Sequence, residues 1–480
     1  MVGQNFSFFS PSQIEMLRDR VLALLQTQGV KLDPHPQMFK ALADAGANVD
    51  TGTGMVRFPK PVMERLLKQA PKKFSLGARQ PDAILELPRP DETFYARTNT
   101  GGYGWIEPDT QNYRKVTSAD LAGWARLVTE LPEISFIAFL FCNDVPVQTA
   151  DVHGLSVLLK NTPKHAWVQP YSAGSVEYLI RLGEAAAGGR SALAKNPVLS
   201  MIACSLAPKA FKHMDLEIIY QSAKASLPIQ ACSLPGAGGT APATTAGVIL
   251  LASAEILAML AMAQAVAAGT PVVACPIIFS TDMRTGRSLQ SSVEAFKAAS
   301  GAVQFIKAAF DLPTHNYGSG SDSPIPDGQG MSERAMLSML MGLSGSDILG
   351  GAGQLEVATV LSPLQLIIDN EVIGMIRQLM RGIEITDDSL AWDVLAGTKP
   401  GGHFLTSKHT LRHCRDVHRP GVFARPTREG WERQGKKDVM DRALEHYRKL
   451  MDKENPYHCD TGLLREIDSI VGAADKQLIE

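Results

Sequence analysis

The sequence has little excess charge, no paired cysteine motif and few aromatic residues, and these shortages narrow the possible functions. The 480 residues carry a net charge of -2, so we expect no strong attraction to nucleic acid or to an anionic membrane. The six cysteines are scattered and none belongs to a Cys-x-x-Cys pair. That spacing favours reduced, buried thiols over a metal or redox site, and no metal site is expected.

Several well-known site and targeting patterns are also missing. No Walker A, HExxH or G-x-S-x-G motif occurs. The N-terminal stretch MVGQNFSFFSPSQIEML lacks a basic region followed by an apolar core, so it does not read as a signal peptide. The apolar stretch VILLASAEILAMLAMAQAVAAG is interrupted by Glu255 and Gln264, which indicates a buried helix rather than a membrane span. We therefore expect a soluble, cytoplasmic protein.

A regular alternation of short apolar runs and helical stretches begins at about Thr93. The runs are TFYARTN, ISFIAFLF, HAWVQPY, VLSMIACS, PIQACS, PVVACPIIF, PTHNYG and SDILGG. Strand–helix alternation indicates parallel strands joined by right-handed crossovers. About eight such units predict an α/β protein with a (β/α)8 TIM barrel. A doubly wound open sheet is the alternative.

The alternation divides the chain into three predicted regions. Residues 1–90 form an N-terminal α-rich cap, in which Ser10-Pro11 starts a helix that runs to about Gln28. Residues 91–382 form the barrel, and residues 383–480 form a C-terminal helical extension packed on the barrel. The long helical tail also favours self-association, so a homo-oligomer is expected.

One glycine-rich loop, LPGAGGTAPATTAG, follows the fifth run and contains the pattern G-x-G-x-x-A. This pattern between a strand and a helix is typical of dinucleotide-binding loops. Two observations oppose that interpretation here. The loop comes after several strands instead of in the first βαβ unit, and the next run has no acidic residue at its start to bind a ribose. A cofactor phosphate site is therefore disfavoured.

The order of motifs along the chain resembles the trimethylamine methyltransferase family. The glycine-rich loop is followed by SAEILAMLAMAQ and AAGTPVV. The other matching stretches are GGYGWIEPDTQNYRKVTSADL, STDMRTG, SGSDSPIPDGQGMSERAM, GGAGQLE, DNEVIGMIRQLMRGIEI, GGHFLTSKHTLRH and RPTREGWERQGKKD. The resemblance covers essentially the whole chain. Because the sequence contains only standard residues, it is similar to the branch of the family that lacks pyrrolysine.

This resemblance implies a methyltransferase that moves a methyl group from a quaternary amine to the Co(I) of a corrinoid (a cobalamin-type cofactor). The corrinoid is carried by a separate corrinoid protein, so no cofactor is expected to stay bound to this chain. Glycine betaine, which would give dimethylglycine, is the favoured substrate, and proline betaine and carnitine are alternatives. A nucleotide-dependent oxidoreductase and a non-catalytic betaine-binding or corrinoid-scaffold barrel are the alternatives of another class.

A quaternary ammonium group carries no N–H, so aromatic faces must recognise it, each contributing about 0.5–2 kcal/mol. Aromatic residues make up only 6% of the chain, which makes those in the loops after the strands informative. The predicted substrate-binding rings are Tyr103, Trp105, Tyr171, Phe279, His315 and Tyr317. Ordinary loop packing is the alternative for these rings. Trp167, inside a strand run, is expected to pack in the core.

Charged residues in the same loops complete the predicted site. Glu356 and Asp322 are predicted catalytic carboxylates near the ammonium group, and loop capping is the alternative role. Arg284 and His315 are predicted to bind a substrate carboxylate. Gly236, Gly238 and Gly239 are predicted to contact the corrinoid or that carboxylate through open N–H groups, with helix packing as the alternative.

Three histidines, His403, His409 and His413, lie close together late in the sequence. The spacing of His409 and His413 could suit a metal, but no carboxylate or cysteine is expected beside them. A surface role is favoured, as part of the docking face for the corrinoid protein.

Overall fold

The computed structural model describes residues 6–479 as a mixed α/β fold. The first five residues of the predicted cap and Glu480 of the predicted extension lie outside the described residues. The N-terminal elements are α1 (Pro11–Thr27), β1 (Val30–Leu32), α2 (Pro36–Asp44), β2 (Asn48–Asp50), β3 (Met55–Arg57), α3 (Lys60–Gln69), β4 (Phe74–Leu76) and β5 (Leu85–Leu87).

Helix α1 begins where the sequence predicts. The Gln13 amide donates to the Ser10 hydroxyl at 3.3 Å, and the Ser10 amide donates to the Gln13 side chain at 2.8 Å. This reciprocal capping, with Pro11 in the first turn, stabilises the helix start.

Each of the eight predicted runs contains one strand of a parallel sheet. The remaining strands are β6 (Tyr95–Thr98), β7 (Gly104–Ile106), β8 (Tyr113–Lys115), β9 (Ile137–Ala138), β10 (Ala166–Val168), β11 (Leu199–Cys204), β12 (Ala210–Phe211), β13 (Ile229–Ser233), β14 (Gly236–Ala237), β15 (Val272–Pro276), β16 (Phe279–Thr281), β17 (Ser288–Leu289), β18 (His315–Tyr317), β19 (Ile348–Ala352), β20 (Gln354–Leu355) and β21 (Val360–Leu361). The eight strands of the runs are β6, β9, β10, β11, β13, β15, β18 and β19.

These eight strands pair in their order along the chain. Strands β9, β10, β11, β13 and β15 form one parallel sheet, and β18, β19 and β6 form another. Single parallel bridges, Arg97 to Phe136 and Ala274 to Thr314, join the two sheets at both ends. The strand order never reverses, so it lacks the switch point of the doubly wound alternative.

The remaining helices lie between and after these strands along the chain. They are α4 (Ser118–Glu130), α5 (Ala150–Asn161), α6 (Ser175–Ala187), α7 (Arg190–Lys195), α8 (His213–Lys224), α9 (Thr245–Val266), α10 (Val293–Phe310), α11 (Gly328–Leu343), α12 (Pro363–Met380), α13 (Asp387–Leu390), α14 (Trp392–Gly397), α15 (Lys408–His413), α16 (Arg428–Arg433), α17 (Val439–Met451) and α18 (Thr461–Ile479).

Helix α9 is the apolar stretch that the sequence assigned to the interior. Among residues 6–479 it is the one helix long and apolar enough, by composition, to cross a membrane. It packs instead against the sheet strands β13 and β15 and against α1, α2, α3, α8 and α10, and 83% of its most apolar window is buried. A helix that is apolar on every side is stable when neighbours cover every side. The prediction of a buried core helix is confirmed.

The three predicted regions share one hydrophobic core. A single buried cluster runs from Val21 in α1 to Ala474 in α18. Helix α17 packs on α4 and α12, and α18 packs on α5 and α6. Residues 381–421, between α12 and α16, contain no buried side chain. The boundaries after residues 90 and 382 stay a prediction.

Candidate active site

A group of buried side chains lies at the centre of the parallel strands and their carboxyl-end loops. We call it the central cluster, and its members are Arg97, Trp167, Gln290, His315, Tyr317 and Gln354, all 7% exposed or less. Four of its polar atoms have no hydrogen-bond partner among the described residues: Arg97 Nη2, Trp167 Nε1, Gln290 Nε2 and Gln354 Oε1. Buried polar atoms nearly always have partners in proteins. This concentration makes the central cluster a candidate ligand site.

Arg97 projects from β6 into the interior between the strands. Its Nε donates to His315 Nε2 at 2.9 Å, and its Nη1 donates to the Thr98 carbonyl at 2.6 Å. The guanidinium carbon lies 4.3 Å from the centre of the Trp167 ring and 5.5 Å from that of Tyr317. Two aromatic faces thus flank a fully buried positive charge.

His315, at the start of β18, is held as a neutral imidazole. Because its Nε2 accepts from Arg97, its Nδ1 carries the hydrogen and donates to the Gln230 side chain at 3.2 Å. Burial, and then the charge of Arg97, hold the pKa of His315 well below its usual value. His315 therefore serves as a hydrogen-bond acceptor for Arg97.

Glycines allow the loops after β18 and β19 to close on the cluster. Gln354 Nε2 donates to Gln290 Oε1 at 2.9 Å. A Cβ at Gly351 would lie 2.7 Å from the Tyr317 ring and 2.8 Å from the Gln354 amide, and its φ of +95° also suits glycine. A Cβ at Gly320 would lie 2.5 Å from the Gln290 side chain. No other residue type fits these two positions without moving the cluster.

A buried ion pair fixes the same loops to the helices behind them. Arg334 of α11 contacts Asp369 of α12 at 2.9 Å, and both side chains are 1% exposed. Arg334 also donates to the carbonyls of Ser319 and Gln354, while Asp369 accepts from the Gly353 amide at 2.7 Å. The pair thus holds the backbone after β18 and after β19 around the central cluster.

The two predicted catalytic carboxylates lie beside the cluster in different roles. Asp322 accepts from the backbone amides of Gln290 at 2.9 Å and Ser291 at 3.1 Å, so it positions the Gln290 loop. Burial raises the pKa of Asp322. Glu356 follows β20, is half-buried and makes no side-chain hydrogen bond among the described residues. It also starts a run of three left-handed residues, Glu356 to Ala358, with φ between +49° and +70°.

The predicted aromatic residues are distributed around the cluster, and only Tyr317 and His315 belong to it. Tyr103 is 46% exposed in the loop after β6. Tyr171 is half-buried against Phe139 and Phe141, and its hydroxyl has no partner among the described residues. Phe279 is half-buried in β16.

Trp105 lies elsewhere, in the buried face of β7. It is 4% exposed and its ring packs edge-on against Trp124, with ring centres 5.8 Å apart. The guanidinium of Arg114 lies 6.0 Å from its centre. This arrangement is that of a packing residue.

The glycine-rich loop differs from its prediction in one physical respect: its N–H groups are not open. The amides of Gly239, Thr240 and Ala241 donate to the Gly236 carbonyl, and the Gly238 amide donates to the Ala241 carbonyl. The Gly236 amide donates to the Thr240 hydroxyl at 2.9 Å. The loop therefore satisfies its own donors.

Close packing explains the glycines of this loop. A Cβ at Gly239 would lie 2.9 Å from Thr281 Oγ1, and one at Gly236 would lie 3.2 Å from the same atom. Gly238 has a φ of +89°. Contact of this loop with a corrinoid or substrate stays a prediction, but it cannot use the amides of Gly236, Gly238 and Gly239, which are already engaged. The start of α9, which was also expected to offer open N–H groups, receives no side-chain cap from Thr244.

The remaining predicted charges lie at the surface. Arg284 has a side chain that is 92% exposed and pairs with Asp282. Near the histidines, the expectation of no carboxylate is wrong, because Asp388 brings its carboxylate within 4.8 Å of ligand atoms of His409 and His413. Asp388 also pairs with Arg412, and hydrogen bonds that His413 donates to Asp416 and Asp388 raise the pKa of His413. The group is therefore built as an exposed ion-pair network.

Sequence reasoning missed three members of the central cluster, because Arg97, Gln290 and Gln354 were not predicted. The expectation that Trp167 packs in the core is confirmed, since its side chain is 1% exposed within the buried core. A charged residue inside an otherwise apolar strand run is the one signal that could have indicated Arg97. Gln290 and Gln354 carry no comparable signal, because glutamine is common in surface loops.

Comparisons with known proteins identify the family of the chain. The profile of the trimethylamine methyltransferase family (MTTB) matches residues 3–477. The trimethylamine methyltransferase MttB of Desulfitobacterium hafniense is 27% identical over 471 residues, which cover 98% of this chain and 94% of that protein. A glycine betaine methyltransferase of the same species is 26% identical over 481 residues, covering 99% of this chain and 98% of that protein.

A solved structure shares the fold at low sequence identity. The monomethylamine methyltransferase MtmB of Methanosarcina barkeri superposes with a TM-score of 0.50 and 13% identity over 92% of each chain. The similarity at this identity concerns the fold alone. The family profile covers nearly the whole sequence, and the chain belongs to the trimethylamine methyltransferase family.

Proposed function

We propose that the protein transfers a methyl group from a quaternary amine, with glycine betaine favoured, to the Co(I) corrinoid of a separate corrinoid protein. Membership of a methyltransferase family supports the reaction type, and the 26% identical glycine betaine methyltransferase supports the substrate. Proline betaine and carnitine are the alternative substrates. The central cluster is the observation that carries the proposal, because it offers polar contacts to a ligand in a buried place.

The chemistry of the cluster suits binding and orientation. The leaving group from a quaternary ammonium is a neutral tertiary amine, so no general acid is needed, and the reduced corrinoid supplies the nucleophile. Among the described residues, the cluster holds a guanidinium, a neutral imidazole, amides and aromatic rings, with no carboxylate. Burial holds the pKa of the adjacent Cys275 well above its usual value, so this thiol stays protonated. The chain's own side chains thus position the substrate and exclude water.

We also propose that the eight parallel strands close into a (β/α)8 barrel. Their sequential pairing and the two bridges between the sheets support closure. The active sites of such barrels lie at the carboxyl ends of the strands, where the loops of the central cluster converge.

Exposed apolar side chains on the carboxyl-end loops support a protein partner at this face. They come from the loops after five different strands: Tyr103, Val147, Leu206, Met283 and Ile325. Apolar side chains around a polar centre are typical of protein interaction sites. The corrinoid partner would cover this rim and bring the methyl acceptor to the mouth of the cluster. The net charge of -2 favours neither nucleic acid nor a membrane as a partner.

Self-association and location complete the proposal. The segment 383–417 exposes apolar residues, among them Ile383, Trp392 and Leu405. The same chain has an apolar groove lined by Met331, Met339, Val372, Met375 and Phe423. A segment and a groove on one chain provide both halves of a two-fold interface with a second copy. Light scattering should find a dimer or larger, and Ile383→Asp with Leu405→Asp should reduce it to a monomer. We also propose a soluble protein located in the cytoplasm, and the buried position of α9 supports its solubility.

The substrate panel is the test of the reaction. The purified protein is mixed with reduced corrinoid protein and with glycine betaine, proline betaine, carnitine or trimethylamine, and corrinoid methylation is followed by absorbance. We expect methylation with glycine betaine and release of dimethylglycine. The proposal fails if no quaternary amine methylates the corrinoid. Reduction or oxidation of a nicotinamide cofactor would favour the oxidoreductase alternative, and betaine binding without turnover would favour a non-catalytic barrel.

A further inference from the structure

Two arginines are fully buried, Arg334 and Arg97, and their surroundings differ. Arg334 is paired with Asp369 and donates to three backbone carbonyls. Arg97 has no ion pair among the described residues and donates only to His315 and to the Thr98 carbonyl. The first arginine has the surroundings of a structural ion pair, whereas the second lacks an anion.

The charge of Arg97 has nothing in the described chain to balance it. A guanidinium stays protonated even when burial lowers its pKa, as burial does here. His315 cannot offset the charge, because an imidazole side chain carries no negative charge in either protonation state. A buried, unpaired charge is strongly unfavourable unless a counter-charge arrives. An anionic ligand would supply that counter-charge.

Two donors that have no acceptor among the described residues belong to side chains that contact each other. Arg97 Nη2 has no acceptor among residues 6–479, although the Tyr317 hydroxyl lies close to the guanidinium. Trp167, whose ring stacks on Arg97 at 4.3 Å, also has a free Nε1–H. Free N–H donors beside a buried positive charge favour an anionic acceptor such as a carboxylate.

We propose that Arg97, assisted by Trp167, binds the carboxylate of a zwitterionic methylated amine and so selects betaine-type substrates over amines that have no carboxylate. This inference rests on the proposed function and names its specificity determinant. With the carboxylate on Arg97, the ammonium end points away from the guanidinium toward the rim of the site. A trimethylammonium group without a carboxylate would face the buried positive charge with no compensation.

Binding calorimetry tests the selection of betaine-type substrates by Arg97 without turnover. The two ligands are glycine betaine and choline, and choline carries the same trimethylammonium group on a chain that ends in a hydroxyl. We expect the protein to bind glycine betaine at least about tenfold more tightly than choline, because a hydrogen bond to a charged group contributes that much or more. Arg97→Gln should remove most of this preference, and Arg97→Lys should keep part of it, since the charge remains but the two-pronged geometry is lost. Arg20→Gln, at an exposed position on α1, is the matched control and should keep the full preference.

Three results would overturn the inference. Equal binding of glycine betaine and choline by the unsubstituted protein would do so even if the Arg97 variants fail to fold. An unchanged preference in a folded Arg97→Gln protein would also do so. If the preference for glycine betaine over choline is lost in Arg284→Gln but kept in Arg97→Gln, the carboxylate binds at the exposed loop of Arg284 and not at Arg97. Corrinoid methylation in any of these cases would leave the proposed function standing, whereas selective betaine binding without methylation would leave the Arg97 subsite standing and remove the function.

Discussion

The ion pair between Arg334 and Asp369 should be among the most sensitive points of the fold. Asp369→Ala would leave the Arg334 guanidinium buried without its carboxylate partner, and only backbone carbonyls would remain as its acceptors. The Gly353 amide would also lose the carboxylate to which it donates. Breaking a buried pair by removing one partner costs about 3–5 kcal/mol. Since domains are typically stable by about 5–15 kcal/mol, this loss is a large fraction of the total.

Urea denaturation, followed by tryptophan fluorescence, measures the free energy of unfolding of each variant. The matched control is Asp44→Ala, which removes an ion pair with Lys40 whose side chains are 65% and 76% exposed. That variant should change the free energy by less than about 1 kcal/mol, because exposed pairs contribute little. The double variant Arg334→Met with Asp369→Leu should be more stable than Asp369→Ala, since it leaves no unpaired charge. A loss below about 1 kcal/mol for Asp369→Ala would refute this reasoning.

Three further outcomes follow from the structure. Burial raises the pKa of Asp215 to about 6 from its ordinary 3.8. Between these two pKa values the folded state keeps a proton that the unfolded state loses, so the free energy of unfolding should fall by on the order of 3 kcal/mol as the pH rises through this window. Asp215→Asn, measured by urea denaturation across the window, should flatten this dependence, and an unchanged slope would show that another group causes it. Gly353→Ala should lower the free energy of unfolding by more than about 1 kcal/mol, because the φ of Gly353 is +81° and a Cβ there would lie 2.3 Å from the Trp124 ring. A Cβ at Gly382 would have nothing within 4 Å, so Gly382→Ala should leave thermal unfolding unchanged. Tyr317→Ala should raise KM for the amine more than Phe8→Ala does, since Tyr317 belongs to the central cluster and Phe8 lies in the N-terminal region; equal effects on the kinetics would remove Tyr317 from the substrate site.

The strand order and the buried helix α9 could be predicted because both have local signals. Each of the eight strands overlaps an apolar run bounded by turn residues. An apolar stretch of 22 residues that carries a single carboxylate and a single side-chain amide predicts a buried helix. These patterns depend on the chain near each residue, so a single sequence is sufficient to show them.

The site could be predicted only in part, because its geometry depends on distant segments. Arg97 is a single charge in the run TFYARTN, and only the pairing of β6 with strands late in the chain places it inside. The N–H groups of the glycine-rich loop were expected to be open, because the sequence does not show the turn that provides their acceptors. In this turn Gly238 adopts a φ of +89°. Asp388 meets His409 and His413 through the folding of an intervening segment that has no periodic pattern. Of the predicted loop residues, His315 and Tyr317 belong to the central cluster, and both lie in strand β18.

The most direct test of the central claim is the transfer of a labelled methyl group. Glycine betaine labelled in its N-methyl groups is incubated with the protein and with reduced corrinoid protein, and the label is then located by mass spectrometry. We predict one labelled methyl group on the corrinoid for each dimethylglycine released, and none when this protein is omitted. Dimethylglycine formed without label on the corrinoid, or no demethylation of any quaternary amine, would contradict the account.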